Sequence, residues 1–161
     1  NNDPDDPDYR AFLSRLWDHI RPRLRSAGRG LDFGAGPGPA LAAMVAEDGF
    51  QVAVYDPIFH PERSALEETY DFVVCSETLE HLRDPKTELE LLDSLLEPGG
   101  WIGVMTGMLD ERDEFPDWYY HRDPTHICFY SKKTMQWIAD YFGWELLLPA
   151  ENVALLRKPQ L

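Results

Sequence analysis

The chain has 161 residues, 43% of them hydrophobic and 27% charged, which fits one soluble globular domain able to bury its own core. Its 29 acidic against 15 basic side chains give a net charge of −14, which repels phosphate backbones and argues against nucleic acid as a partner. Cys75 and Cys128 form no CxxC motif or disulfide framework and fit a reducing, cytoplasmic setting, and no apolar run approaches the roughly 20 residues that a membrane helix needs.

In chain order, residues 1–8 contain only Asn, Asp and Pro and predict a disordered N-terminal stretch. A single domain is expected over 9–161. The chain begins without Met, so a fragment or processed form lacking an upstream segment is expected. From Tyr9 to Ala27 the apolar residues Phe12, Leu13, Leu16, Trp17, Ile20 and Leu24 recur at helical spacing. Gly28 and Gly30 end that helix, and Pro22 bends it. The cluster Arg21, Arg23, Arg25 and Arg29 reads as a solvated face. "GLDF" is a strand running into a glycine turn, "ALAAMVAEDG" a helix, and "FQVAVYD" a strand ending on Asp56. "YDFVVCS" is a strand, "PKTELELLDSLLEPGG" a helix, and "WIGVMTGM" a strand. Residues 107–130 form a long loop rich in aromatic and acidic residues. "SKKTMQWIADYFG" is a helix with Ser131 as N-cap, and "WELLLP" and "VALLRK" are two terminal strands. Alternating strands and helices predict a parallel sheet covered on both faces, and the last two strands an antiparallel edge.

The turn "LDFGAGPGPA" places Gly34, Gly36 and Gly38 at every second position behind Asp32. Glycines after a first strand let a ligand approach the backbone, and the next helix offers free N–H groups. A dinucleotide site wants GxGxxG. Here the third glycine comes one residue early and Pro39 stands where that pattern has glycine, so a nucleotide-dependent oxidoreductase is disfavoured. Asp32 and the turn suit an amino acid's ammonium and carboxylate, and Asp56 suits the two hydroxyls of a ribose. Amino acid, ribose and base together describe S-adenosylmethionine.

With "LDFGAGPG", "VAVYD", "YDFVVCSETLEHL" and "LLEPGGWIGVMT" in that order, the chain resembles the class I S-adenosylmethionine-dependent methyltransferases over roughly residues 29–107. The resemblance implies a doubly wound, mostly parallel seven-stranded α/β sheet of order 3-2-1-4-5-7-6. It carries cofactor contacts onto Asp32, Gly34, Ala35, Gly36, Gly38, Asp56, Pro57, Ser76 and Glu77. One departure stands out. Only "PIFHPERSALEETY" separates Asp56 from Asp71, so the third strand is expected to be shortened or missing, and the adenine pocket that this region supplies is altered.

"SETLEHLRDP" offers Glu77, Glu80 and His81, which a helical turn would place on one face. Carboxylates with a histidine bind a divalent metal, or serve as a general base with an orienting partner; they also order a helix start. Two family branches share E-x-x-E-H: small-RNA terminal 2′-O-methyltransferases, which use it with a later histidine as a magnesium site, and ubiquinone-pathway O-methyltransferases, whose E-x-x-E-H-x-x-D-P is matched through Asp84-Pro85. By the first likeness, Glu77, Glu80, His81 and His126 are a candidate site for Mg2+ or another divalent metal. His81 and His126 are the candidate bases. Phe115, Trp118, Tyr119, Tyr120, Phe129 and Tyr130 either cover an acceptor or pack on the sheet, and His121, Arg122 and Asp123 would orient a polar group. The expected function is methyl transfer to a small molecule, at oxygen. The alternatives are a non-catalytic cofactor-binding module and a metal-dependent RNA 2′-O-methyltransferase.

Overall fold

The computed structural model describes residues 3–160. Ten regular elements follow in order: α1 Pro7–Ile20, β1 Arg29–Phe33, α2 Ala40–Glu47, β2 Gln51–Tyr55, β3 Tyr70–Ser76, α3 Pro85–Leu95, β4 Leu96–Met105, α4 Lys132–Phe142, β5 Glu145–Ala150 and β6 Val153–Arg157. Short 3-10 turns lie between them.

The helix starts are set by local chemistry. Asp6 accepts from the N–H of Asp8 at 2.9 Å and of Tyr9 at 3.5 Å, with Pro7 as first helical residue. Thus α1 starts inside the stretch 1–8 expected to be disordered; Asn1 and Asn2 lie outside the described residues. Asp84 and Ser131 cap α3 and α4 by accepting from Thr87 N and Thr134 N, each at 3.2 Å. Ser131 thus takes the predicted role. α1 ends at Ile20, where Pro22 sits in a 3-10 turn over Arg21–Arg23.

The six strands are ordered β2-β1-β3-β4-β6-β5. The pairs β1/β2, β1/β3 and β3/β4 are parallel, and β4/β6 and β5/β6 antiparallel. Among the described residues the sheet has six of the family plan's seven strands, and the absent one is the third, which the sequence predicts to be shortened or missing. Between β2 and β3 the chain makes only an Asp56–His60 bridge and a 3-10 turn at Arg63–Leu66. Too few residues remain there for a helix and a strand, so β2 is an edge.

Alternation along β3 divides the core. Phe72 and Val74 face α1 and α2 with Leu13, Leu16, Trp17, Ile20, Leu41 and Val45. Val73 and Cys75 face the other layer, with Leu89, Leu92, Met135 and Ile138 from α3 and α4. Burial of each such aliphatic side chain contributes about 1.5–3 kcal/mol. The two layers leave the carboxyl ends of β1, β2 and β3 free, on either side of the point where strand order reverses. Ligands bind there in open α/β sheets.

Candidate active site

The glycine turn leaves β1, beside the edge strand β2. Asp32 lies opposite Val54 of β2 and Val74 of β3 and is 2% exposed. Burial pushes its carboxyl up to about 7; the Ala42 N–H opposes the rise and the Asp56 charge adds to it. Gly34 and Ala35 donate their N–H groups to Tyr55 O at 2.8 and 3.2 Å, tying the turn to the end of β2. Gly34 has φ +78°, and a Cβ there would overlap the Thr78 side chain, so this position needs glycine twice over. Thr78 Oγ1 sits 3.0–3.3 Å from the carbonyls of Ser76, Phe33 and Gly34. Gly36 also has positive φ, +72°, and donates its N–H to Asp56 Oδ2 at 2.9 Å. Asp56 Oδ1 accepts from Ile58 N and Phe59 N at 2.9 and 3.1 Å. One carboxylate therefore fixes the glycine turn and its own turn. Pro57 is exposed within that second turn, and Gly38 O accepts from Ala40 N at 2.7 Å as α2 begins.

A second constellation forms past β3. Glu77 takes the left-handed conformation at φ +50°, uncommon for a side chain of its size, and donates its N–H to Met105 O at 2.7 Å. Leu79–His81 is a 3-10 turn, so the expected α-helical face for Glu77, Glu80 and His81 is corrected. The two carboxyls converge by another route. The Tyr120 hydroxyl is hydrogen-bonded to both Glu77 and Glu80; it donates its single proton to one carboxyl and accepts from the other, which is protonated. Glu80 is 0% exposed and also accepts from Thr106 Oγ1 at 3.1 Å. Burial, then the hydrogen bond and charge of Glu80, push Glu77 up to about 8. Tyr120 can reach this depth because Gly107 is bare: a Cβ there would lie 2.7 Å from the Tyr120 ring.

The histidines flank this pair. His81 Nδ1 lies 2.9 Å from Thr125 O and His126 Nδ1 2.8 Å from Tyr120 O. A carbonyl partner makes Nδ1 the proton-bearing nitrogen and leaves Nε2 with the lone pair. The two rings meet edge to face at 4.9 Å, and His126 lies 4.2 Å from the Tyr120 ring. Glu80, His81 and His126 present ligand atoms within 4.8 Å of one another; Glu77 is outside that group.

Residues 107–130 divide between the two expected roles. Trp118, Tyr120 and Tyr130 are buried, whereas Phe115 is 41% and Tyr119 69% exposed. His121 is held by Trp118 O at 2.6 Å and packs on Phe115 at 4.6 Å, so it orients the loop itself. Arg122 is exposed. Asp123 lines a cavity of about 440 Å³ together with Phe12, Glu77, Tyr119, Tyr120 and His126. A larger hollow, about 810 Å³, lies by Met108–Arg112 and the β5–β6 turn; none of Asp32, Asp56 or Glu77 reaches it.

Sequence reasoning missed α1 as part of the site. Phe12 walls the cavity, the Arg15 charge favours ionised Glu77, and Tyr9 is close enough for Asp32 and Glu77 to raise its hydroxyl pKa, after burial. Thr78 and Thr106 were also missed. An aromatic at helical spacing reads as core, and a lone threonine carries no signal of its own.

A family model described as "Methyltransferase domain" matches residues 6–148. The chain belongs to that family, and its fold is that of a class I S-adenosylmethionine-dependent methyltransferase. Among curated relatives it is similar to the ubiquinone biosynthesis O-methyltransferase of Serratia proteamaculans (strain 568), 34% identical over 77 residues. That match covers 48% of this chain and 32% of the relative; the chain thus spans about a third of the relative's length. Among solved structures, the 1,6-didemethyltoxoflavin-N1-methyltransferase of Burkholderia thailandensis, with its substrate and S-adenosylhomocysteine bound, superposes with a TM-score of 0.67 at 16% identity. The alignment covers 97% of this chain and 80% of that one. An O-methyltransferase family protein from the same species gives 0.66 at 14% identity, covering 95% and 55%. At such identities these likenesses show the fold. No helix among the described residues is long and apolar enough to cross a membrane.

Proposed function

We propose that this domain transfers a methyl group from S-adenosylmethionine to a small-molecule acceptor, at oxygen. The observation that carries the reading is the Asp56 carboxylate, hydrogen-bonded to Gly36 N of the glycine turn while Asp32 lies buried at the root of that turn. Asp32 and the backbone of the turn would hold the methionine end, with Gly34, Ala35, Gly36 and Gly38 as its floor. Asp56 and Pro57 would face the ribose, and Ser76–Glu77 would close the methyl end.

S-adenosylmethionine, when bound, supplies a methyl already activated by its sulfonium. The chain's task is then to orient the acceptor and remove its proton. Orientation of this kind supplies up to roughly 7–11 kcal/mol in favourable cases. His81 and His126 each hold Nδ1 against a carbonyl, so Nε2 is the basic nitrogen on either ring. Tyr120 covers the cleft and joins the Glu77–Glu80 pair to the loop above it. The net charge of −14 favours a small molecule over RNA. The test is calorimetric titration of S-adenosylhomocysteine with NADH as control. Micromolar binding of the first and none of the second is expected; no binding of S-adenosylhomocysteine would sink the reading. Cofactor binding without turnover on any acceptor would leave a non-catalytic module.

A second reading is favoured by one observation, the clustering of Glu80, His81 and His126. Two imidazoles and a carboxylate suit a divalent metal, and Glu77 would join them if Tyr120 withdrew. Mg2+ or Mn2+ there would lower the pKa of a coordinated acceptor hydroxyl. Atomic absorption on untagged protein after loading with each metal decides: a stoichiometric signal lost in His126→Ala supports it, and no retained metal excludes it.

A further inference from the structure

The cavity beside Glu77 has an unusual lining. Two acids, Glu77 and Asp123, and three aromatic rings, Phe12, Tyr119 and Tyr120, surround it with His126. None of these six lining residues is a lysine or arginine. Arg15 of α1 is exposed and outside the lining, but its charge bears on Glu77 and its guanidinium lies 5.9 Å from the centroid of the Phe12 ring, so that wall already has one cation beside it. Asp123 is a settled anion: Thr125 donates to its Oδ1 from both N–H and hydroxyl at 2.9 and 2.7 Å. Its other oxygen is 3.5 Å from His126 Nε2.

The rings come from separate parts of the fold. Phe12 comes from α1, and Tyr119 and Tyr120 from the loop after β4. Tyr119 is 69% exposed, although its ring packs edge to face on Tyr120 at 6.0 Å. A large ring held open beside a hollow is a wall in want of a guest. Aromatic faces and carboxylates both attract positive charge, and rings of this kind are how proteins grip ammonium groups. An anionic guest would meet repulsion from Asp123, which His126 only partly offsets, and the ring faces add attraction for a cation alone.

We infer that the acceptor carries a positively charged ammonium group, seated among Phe12, Tyr119, Tyr120 and Asp123 and distinct from the atom that receives the methyl. This rests on the reading of the cleft as a methyltransferase site, and it adds the substrate's charge class. The competing guest is the cofactor's own sulfonium, which S-adenosylhomocysteine lacks.

The test uses three probes that share a phenol ring and differ in charge: tyramine, 4-ethylphenol and 3-(4-hydroxyphenyl)propionate. Each is titrated into the chain saturated with S-adenosylhomocysteine, and again without it. Tyramine should bind about tenfold more tightly than 4-ethylphenol, with the propionate weakest. Asp123→Asn and Tyr119→Leu should each weaken tyramine and leave 4-ethylphenol nearly unchanged, which a general loss of folding would not do. Equal affinity of the three, tightest binding of the propionate, or no binding of any would overturn the inference. So would tyramine that displaces S-adenosylhomocysteine, because the cage would then belong to the cofactor. Failure of S-adenosylhomocysteine to bind is a separate result that removes the methyltransferase reading, and the titrations without it still report on the cage.

Discussion

The glycine turn and the loop over residues 107–130 solve opposite problems. The turn is built of backbone: Gly34 and Gly36 at positive φ, two N–H groups on Tyr55 O, and one carboxylate across to Gly36 N. The loop is built of side chains: Tyr120 driven down to two glutamates, and the rings of Phe115, Trp118 and Phe129 packed on one another. A surface that every relative must present to one invariant ligand can be made of backbone geometry. A surface that must suit one acceptor needs side chains, and those are free to change.

The largest test of this contrast is on Asp32. Its folded carboxyl sits at about 7, above the ordinary carboxylate range, so the fold holds a proton that the unfolded chain has released. That contribution is full below about pH 4 and lost as pH rises to 7, on the order of 4 kcal/mol in all. Asp32→Asn should therefore flatten the pH dependence of stability between 4 and 7 in denaturant titrations and raise stability at pH 8. The same variant should lose S-adenosylhomocysteine in calorimetry. Unchanged cofactor affinity would break the cofactor assignment.

Gly34→Ala comes next. Forcing a side chain into φ +78° against Thr78 costs at least about 1–2 kcal/mol, read as a lower denaturation midpoint, with cofactor affinity falling as the turn shifts. Tyr120→Phe acts on the other region. It strips a hydrogen-bond partner from buried Glu80, leaving Thr106, and should cost about 1–3 kcal/mol. Limited proteolysis within residues 107–130 should quicken, with S-adenosylhomocysteine affinity falling far less than in Gly34→Ala. Equal loss of both would mean the two regions are not separable. The smallest structural effect is expected of His81→Ala, an exposed side chain. It should leave stability within about 0.5 kcal/mol of the parent and lower turnover far more than cofactor affinity.

The same contrast explains what could be read in advance. Asp32, the glycines and Asp56 were legible because the backbone demands particular residue types at fixed spacing. The missing third strand was legible as a deficit of length between Asp56 and Asp71. The convergence of Glu77 and Glu80 was anticipated on the wrong geometry, since the i, i+3 rule assumes an α-helix and the chain makes a 3-10 turn after a left-handed residue. Phe12, Arg15 and Thr106 meet the site through tertiary packing, and no local pattern announces that. The role of Tyr120 depends on bare space at Gly107, a relation between two distant positions of one loop that only the folded chain displays.

The contact of Thr78 with Gly34 has a consequence for how the two pockets communicate. Thr78 follows Glu77 directly, and its side chain is wedged against the glycine turn within reach of three carbonyls. No soft joint separates the residue beside the cavity from the floor proposed for methionine. An acceptor that moves Glu77 and a cofactor that moves the turn would therefore bear on the same threonine contact. Such linkage is reciprocal: whatever factor one ligand adds to the affinity of the other is returned in equal measure. If that shared contact couples the proposed pockets, each affinity has to be measured with the neighbouring pocket both empty and filled.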